Sequence, residues 1–260
     1  MGKNQKKIGR KIFKMKLLNI GRKTEVQPIE FKKYEGEDVC VSTVIRKGQR
    51  IQNFEYYPDK VKCVPRGNAY VIGNGPSRKN FDLTRLKETG QTYGCNALYR
   101  EFTPDCLVAT DPGISKAIQD SGYAKTNRFH TRRPIDGTGA KSLPKDYKGF
   151  SSGPNALAQA CLDGYHLIYL LGFDLGTTDG RFNNLYADTQ FYKRITDPPT
   201  FAGNWIKQIT TIAKTFPKKQ FIRIEGKETA FVKTFKDVPN IRTWTMDRFE
   251  ERLNTAKGLL

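Results

Sequence analysis

Ala69-Tyr70-Val71-Ile72-Gly73-Asn74-Gly75-Pro76-Ser77 decides how the rest of the chain is read. Four apolar residues of strand length run into a glycine turn, and Asp82-Leu83-Thr84-Arg85-Leu86 follows with the pattern of a helix or helical turn. Strand, glycine turn and helix in that order make the βα unit of nucleotide-binding α/β folds. Glycines at such a strand end let backbone N–H groups approach a phosphate or ribose, Asn74 adds an amide donor and acceptor, and Ser77 adds a hydroxyl. A purely structural tight turn is the competing reading. Arg78 stands where the dinucleotide pattern has its third glycine, and no G-x-x-x-x-G-K-[ST] loop occurs in the chain.

The alternation continues downstream. Cys106-Leu107-Val108-Ala109-Thr110 reads as a strand, Gly113 to Asp120 and Asn155 to Leu162 as helices, and His166-Leu167-Ile168-Tyr169-Leu170-Leu171 as a strand buried on both faces. Trp205 to Phe216 adds a helix and Gln220-Phe221-Ile222-Arg223-Ile224 a strand. Upstream, Val39-Cys40-Val41-Ser42-Thr43-Val44-Ile45 is a β-branched run stopped by Lys47-Gly48. The expectation is a doubly wound, mostly parallel α/β sheet with a Rossmann-like nucleotide-binding domain over residues 36–245. A basic arm, residues 1–35, precedes it, and a charged helix or tail, residues 246–260, follows.

The charge distribution motivates the arm. The chain carries a formal net charge of +19, and residues 1–24 hold Lys3, Lys6, Lys7, Arg10, Lys11, Lys14, Lys16, Arg22 and Lys23 with no acidic residue. Ile8, Ile12, Phe13 and Leu17 recur at near-helical intervals, so an amphipathic helix on nucleic acid or on an anionic membrane surface competes with a solvated tail. No run approaches the roughly 20 apolar residues of a membrane span, and lysines interrupt every candidate signal segment, so a cytoplasmic location is expected. Five cysteines form no CxxC pair and there are two histidines, which leaves no ligand spacing for structural zinc.

Two further stretches have the chemistry of a site. Ser151-Ser152-Gly153 opens a helix, where free N–H groups and hydroxyls offer an anion-binding point or simply an N-cap. Gly172-Phe173-Asp174 closes the apolar strand, and Asp174 is open to three roles: ribose ligand, base or turn cap. His130, in Arg128-Phe129-His130-Thr131-Arg132-Arg133, is a candidate base in a basic loop.

Taken together, Val71 to Ser77, Cys95-Asn96 with Tyr99, Asp111-Pro112, Ser151-Ser152-Gly153, Gly164-Tyr165 and Ile168 to Asp174 resemble the bacterial lipooligosaccharide sialyltransferases in order and spacing over about residues 69–195. The archaeal 6-hydroxymethylpterin diphosphokinase-like proteins share a similar G-N-G-P-S start and S-G to G-x-D finish. The resemblance implies a metal-independent glycosyltransferase with no permanently bound cofactor, taking a nucleotide sugar with a pyrimidine base. It nominates Gly73, Asn74, Gly75, Ser77, Asn96, Asp111, Ser152 and Gly153 for the nucleotide, with Asp111 replacing the asparagine usual before proline. Tyr186 and Tyr192 are the counterparts of two tyrosines that steady the departing phosphate, aided by Arg181 or Lys193. The family's catalytic histidine has no counterpart after His166, so Asp174, Asp188, Asp197 and His130 are the candidate bases. Magnesium-dependent diphosphate transfer from ATP, and a non-catalytic nucleic-acid-binding or virion-associated protein, are the alternatives.

Overall fold

The computed structural model describes residues 24–26, 30–34, 37–46, 49–56, 66–177, 179–227 and 229–257. The chain divides into two compact units, Met1–Val64 and Pro65–Leu260. In the first, β1 (Thr24–Val26), β2 (Glu30–Tyr34), β3 (Glu37–Arg46) and β4 (Gln49–Tyr56) form an antiparallel sheet. Strand β3 is its spine: β1 and β2 pair with successive stretches of one edge, and β4 pairs along the other from Val39 to Arg46. The strand read at Val39 to Ile45 therefore exists, in an antiparallel sheet outside the parallel-sheet unit. That unit starts at Pro65 rather than at residue 36, and residues 24–34, read as part of the arm, contribute two strands. The basic stretch before Thr24, with its expected amphipathic helix, lies outside the described residues.

The second unit begins with β5 (Arg66–Ile72), α1 (Thr84–Lys87), β6 (Gly90–Cys95), β7 (Cys106–Ala109), α2 (Pro112–Asp120), α3 (Tyr123–Thr126), β8 (Phe129–Thr131) and β9 (Lys141–Ser142). It continues through α4 (Ser152–Leu162), β10 (Tyr165–Leu171), α5 (Gly203–Thr215), β11 (Gln220–Glu225), β12 (Ile241–Thr245) and α6 (Met246–Lys257). Its eight strands lie in the order β12-β11-β10-β5-β6-β7-β8-β9, and every pairing is parallel. The expected doubly wound α/β sheet is thus present.

Two layers of side chains explain why the strands read as continuous apolar runs. Ala69, Val71, Ile168 and Leu170 face α4 and α5 on one side, while Tyr70, Ile72, Tyr169 and Leu171 face α1, α2 and α6 on the other. Strand periodicity of two sends alternate residues into separate cores, so both sets must be apolar. Helix α4 is buried almost all round, which its Ala156-Leu157-Ala158-Gln159-Ala160 core allows by keeping the side chains small.

The winding positions the site. From β5 the chain steps outward through β6, β7, β8 and β9, then returns to place β10 against the other edge of β5 before stepping out to β11 and β12. At that reversal the connections leave β5 and β10 in opposite directions, which opens a crevice beyond their carboxyl ends. Among the described residues no helix is long and apolar enough to cross a membrane.

Helix α6, read from sequence as a charged helix or tail, closes one face. Phe249 is fully buried against Tyr169, Phe81 and Tyr70, with ring centroids at 5.2, 5.7 and 6.0 Å, and Leu253 is buried beside it. Phe249→Ala is expected to lower the unfolding free energy by about 3–5 kcal/mol in urea titrations, because the packed sheet around the ring cannot collapse into the void.

Candidate functional site

Two turns meet at the reversal, Gly73-Asn74-Gly75 after β5 and Gly172-Phe173-Asp174 after β10. Gly73 N–H donates to Leu171 O at 2.7 Å and Gly75 N–H to Gly172 O at 2.9 Å. A Cβ at Gly73 would stand 2.5 Å from Gly172 O, and one at Gly75 2.5 Å from Asp174 Oδ2 and 2.7 Å from Gly172 O. These glycines are therefore required because one backbone lies on the other. Their amides, expected to cradle a phosphate, are already spent on the neighbouring turn.

Two buried arginines hold the turns from outside. Arg78 Nε donates to Gly73 O at 2.6 Å, and its Nη2 reaches Glu101 Oε1 at 3.0 Å and Tyr186 Oη at 3.2 Å. Arg223, 1% exposed in the middle of β11, donates from Nε to Phe173 O at 2.8 Å and from Nη2 to Asp174 O at 2.7 Å and Ala230 O at 2.9 Å. Burial pulls its pKa below the usual guanidinium range, and the carbonyls, with Glu225 Oε1 at 3.3 Å, are what make a cation tolerable there. The sequence reading overlooked both roles. A lone arginine in the apolar run Phe221-Ile222-Arg223-Ile224 was the available signal, since an unpaired charge in a central parallel strand is too costly to keep.

Beyond the turns lies a half-open cleft of about 430 Å³, within the size range of small-molecule sites. Gly73, Asn74, Gly75, Asn96, Asp111, Ser152, Gly153, Asp174 and Tyr192 line it, so the structure brings together most of the nominated residues. Helix α4 starts at its edge. Ser152 Oγ bonds the Thr110 amide and hydroxyl, both at 2.9 Å, which pins the helix start to the end of β7. Its hydroxyl is thereby occupied, while the first-turn amides of Ser152 and Gly153 have no carbonyl within the helix to reach. Asn74, 8% exposed, donates from Nδ2 to Cys95 O at 3.4 Å and leaves Oδ1 without a partner among the described residues. Asn96 Oδ1 is likewise buried and unpartnered. Buried amide oxygens that accept nothing are rare in folded proteins and call for an absent donor.

Backbone strain gathers at the same place. Asn96, Leu175 and Phe191 line the cleft with φ of 51°, 56° and 76°. Leu and Phe seldom occupy the left-handed region, and such residues persist where the surroundings enforce them. Phe182, Phe191, Phe201 and Trp205 supply aromatic surface to the wall, with Phe201 77% exposed at its mouth. Trp205 was read only as the start of a helix, and the three phenylalanines were not singled out from sequence, because their loop carries no periodic pattern.

Other nominated residues are placed differently. Asp174, 2% exposed, accepts the Ser77 amide on Oδ2 at 3.0 Å and the Thr229 hydroxyl on Oδ1 at 3.5 Å, so it acts as a cap that ties the two turns. Ser77 does not line the cleft, and its Oγ is buried without a partner among the described residues. Tyr186 also stands back from it: its hydroxyl donates to Glu101 Oε1 at 2.6 Å and receives Arg78. Tyr192 faces the cleft, accepts the Ala97 amide at 3.2 Å and has its pKa raised by burial, which keeps the phenol protonated. Asp188 is an exposed loop residue at φ 62° whose Oδ1 receives the Ile195 amide, and Asp197 receives the Arg194 amide; neither lines the cleft. Cys95, at the floor, is buried with its thiol pushed up to about 12.

His130 is removed from the base candidates by its partners. It lies within β8, where Arg128 Nε donates to Nε2 at 3.2 Å and Nδ1 donates to Ser142 O at 3.1 Å, an arrangement that fits the neutral ring. Burial, with help from the Arg128 and Lys141 charges, holds its pKa below the usual 6.5. Among the described residues no group of three or more His, Cys, Asp or Glu side chains is placed to hold a metal ion.

Two measurements follow from this geometry. Gly75→Ala forces a methyl against Asp174 and Gly172 O and is expected to destabilise the unit by about 1–3 kcal/mol, read by urea melts. Because the folded His130 binds its proton below 6.5 and the unfolded one near 6.5, the stability of the neutral ring is complete above that value and drains away as pH falls through the folded pKa. The melting temperature is therefore expected to fall as the pH drops below about 6.5, less steeply in His130→Gln, with His166→Gln as control because burial lowers that pKa as well. No protein-family model, curated protein or solved structure matches this chain.

Proposed function

We propose that the Pro65–Leu260 unit binds a nucleotide-activated sugar in the cleft between β5 and β10 and transfers the sugar to an acceptor hydroxyl. The observation that carries this reading is the convergence of the α4 first turn with the unpartnered oxygens of Asn74 and Asn96 on one cleft. A helix N-terminus presents amides and a positive dipole end to phosphate oxygens. Amide oxygens that lack donors complement ribose hydroxyls or the exocyclic amine of a pyrimidine. Aromatic faces at Phe173 and Trp205 suit a base or the apolar face of a sugar.

Leaving-group departure needs charge neutralised on the phosphate. The protonated Tyr192 hydroxyl, the α4 amides and Lys193 on the rim are the groups on the cleft wall able to do it. Diphosphate transfer from ATP would draw on Asp111 and Asp174 for magnesium, and it is less well supported because Asp174 is already bonded to the Ser77 amide. The net charge of +19 favours an anionic acceptor, either a saccharide or a nucleic acid, by raising its concentration near the protein.

A melt screen with CMP, UMP, CDP, UDP, GDP and ATP, with and without magnesium, tests the reading. A ligand at 100 times its dissociation constant stabilises by about 2.7 kcal/mol. The expected result is a metal-independent shift with a pyrimidine nucleotide that disappears in Asn74→Ala. A magnesium-dependent shift with ATP alone would move the assignment to diphosphate transfer, and no shift with any nucleotide would leave a protein that keeps the fold for binding polyanions.

A further inference from the structure

We propose that Asp111 is the general base of this cleft, taking the proton from the acceptor hydroxyl as it attacks the sugar. The assignment rests on the sugar-transfer reading and supplies the group that reading lacks. Inverting or retaining outcome aside, an acceptor O–H must lose its proton while the acceptor oxygen bonds to the anomeric carbon. The bond from that carbon to the phosphate oxygen breaks, and its electron pair leaves with the nucleotide.

The cleft wall offers few groups able to accept a proton near neutral pH. Neither histidine lines it. Burial keeps the Tyr192 phenol protonated, Lys193 is a donor with no acceptor to offer, and the Cys95 thiol is sealed against Ile72 O at 3.6 Å. Two carboxylates remain, Asp111 and Asp174. Asp174 is shut away and has hydrogen bonds on both oxygens, from the Ser77 amide and the Thr229 hydroxyl.

Asp111 differs on each count. It is exposed on the wall, at the N-cap position of α2, with the extended backbone (φ −78°, ψ 133°) from which a carboxylate ordinarily reaches back to a first-turn amide. It makes no such cap bond, and its carboxylate meets no hydrogen-bond or ion-pair partner among the described residues. The helix start is organised without it: Pro112 occupies the first position, and Ser115 N–H bonds the Asp111 carbonyl at 3.0 Å. It shares the cleft wall with the Tyr192 phenol. A free anion with a prepared backbone position, next to the leaving-group site and unspent on structure, is the arrangement a general base requires.

The isosteric Asp111→Asn keeps an N-cap residue, so the fold survives the test. The probe is the nucleotide sugar that shifts the wild-type melt most, and the readout is nucleotide release with water as acceptor. The expected result is a fall in kcat of about 10²–10⁴-fold, with donor affinity and KM within threefold of wild type, since the proton is transferred only in the transition state. In Asp111→Ala, added formate or azide is expected to restore at least tenfold of the lost rate, which a merely structural residue would not show. Release by Asp111→Asn within threefold of wild type overturns the assignment, as does a wild type that binds the donor and releases no nucleotide. A wild type shifted by no nucleotide sugar instead overturns the donor reading, and the base assignment falls with it.

Discussion

Two backbone turns lie directly on each other where the winding of the sheet reverses, and the placing of the groups around the cleft depends on that contact. Gly73 and Gly75 donate to Leu171 O and Gly172 O, with no room for a side chain between them. The cost of such a contact is that the outward carbonyls lose water, and buried carbonyls must be bonded. Arg78 and Arg223 answer that need from opposite sides, one reaching the Gly73 carbonyl and the other those of Phe173 and Asp174. Arginine suits the task because its planar fork serves several acceptors at fixed angles and stays charged even when burial disfavours it.

This clamp has a consequence for the rest of the wall. With both turns immobilised, the Asp174 carboxylate is committed to the Ser77 amide, and the Leu185 amide bonds Asn74 O at 2.9 Å, anchoring the long irregular segment after β10 to the first turn. Tyr186 fastens the same segment to Glu101 and Arg78. Rigid support of this kind lets Asn96, Leu175 and Phe191 be held in the left-handed region beside the cleft, because strained conformations persist only where neighbouring contacts outweigh them.

The parallel sheet was legible in the sequence because strands buried on both faces, such as β5 and β10, cannot disguise themselves with polar residues. The first unit was legible only in β3. Strand β2, Glu30-Phe31-Lys32-Lys33-Tyr34, looks like the end of a basic arm, and only its pairing with Val41 to Glu37 makes it a strand. At the site, positions at strand ends were readable and commitments were not. Nothing local tells that the Gly75 amide is spent on Gly172 O, that Tyr186 answers a carboxylate 85 residues away, or that His130 sits between Arg128 and Ser142. Free and occupied groups of one residue type have the same letter, so Asp111 and Asp174 could be told apart only by their partners.

That distinction also bears on how the chain's charge is used. The net charge is +19, yet the cleft wall has two aspartates and one lysine among its charged side chains. What it offers an anion is a helix terminus and neutral hydrogen-bond donors, whose fields are short-ranged and fixed in direction. Surface lysines and arginines act over roughly 10 Å at 0.1 M salt and distinguish little beyond sign. Long-range attraction and close-range selection are therefore carried by different parts of the molecule. Raising the ionic strength would weaken the first while leaving the second largely intact, because the donors at the α4 terminus are held in place by Thr110 and are partly shielded from solvent ions.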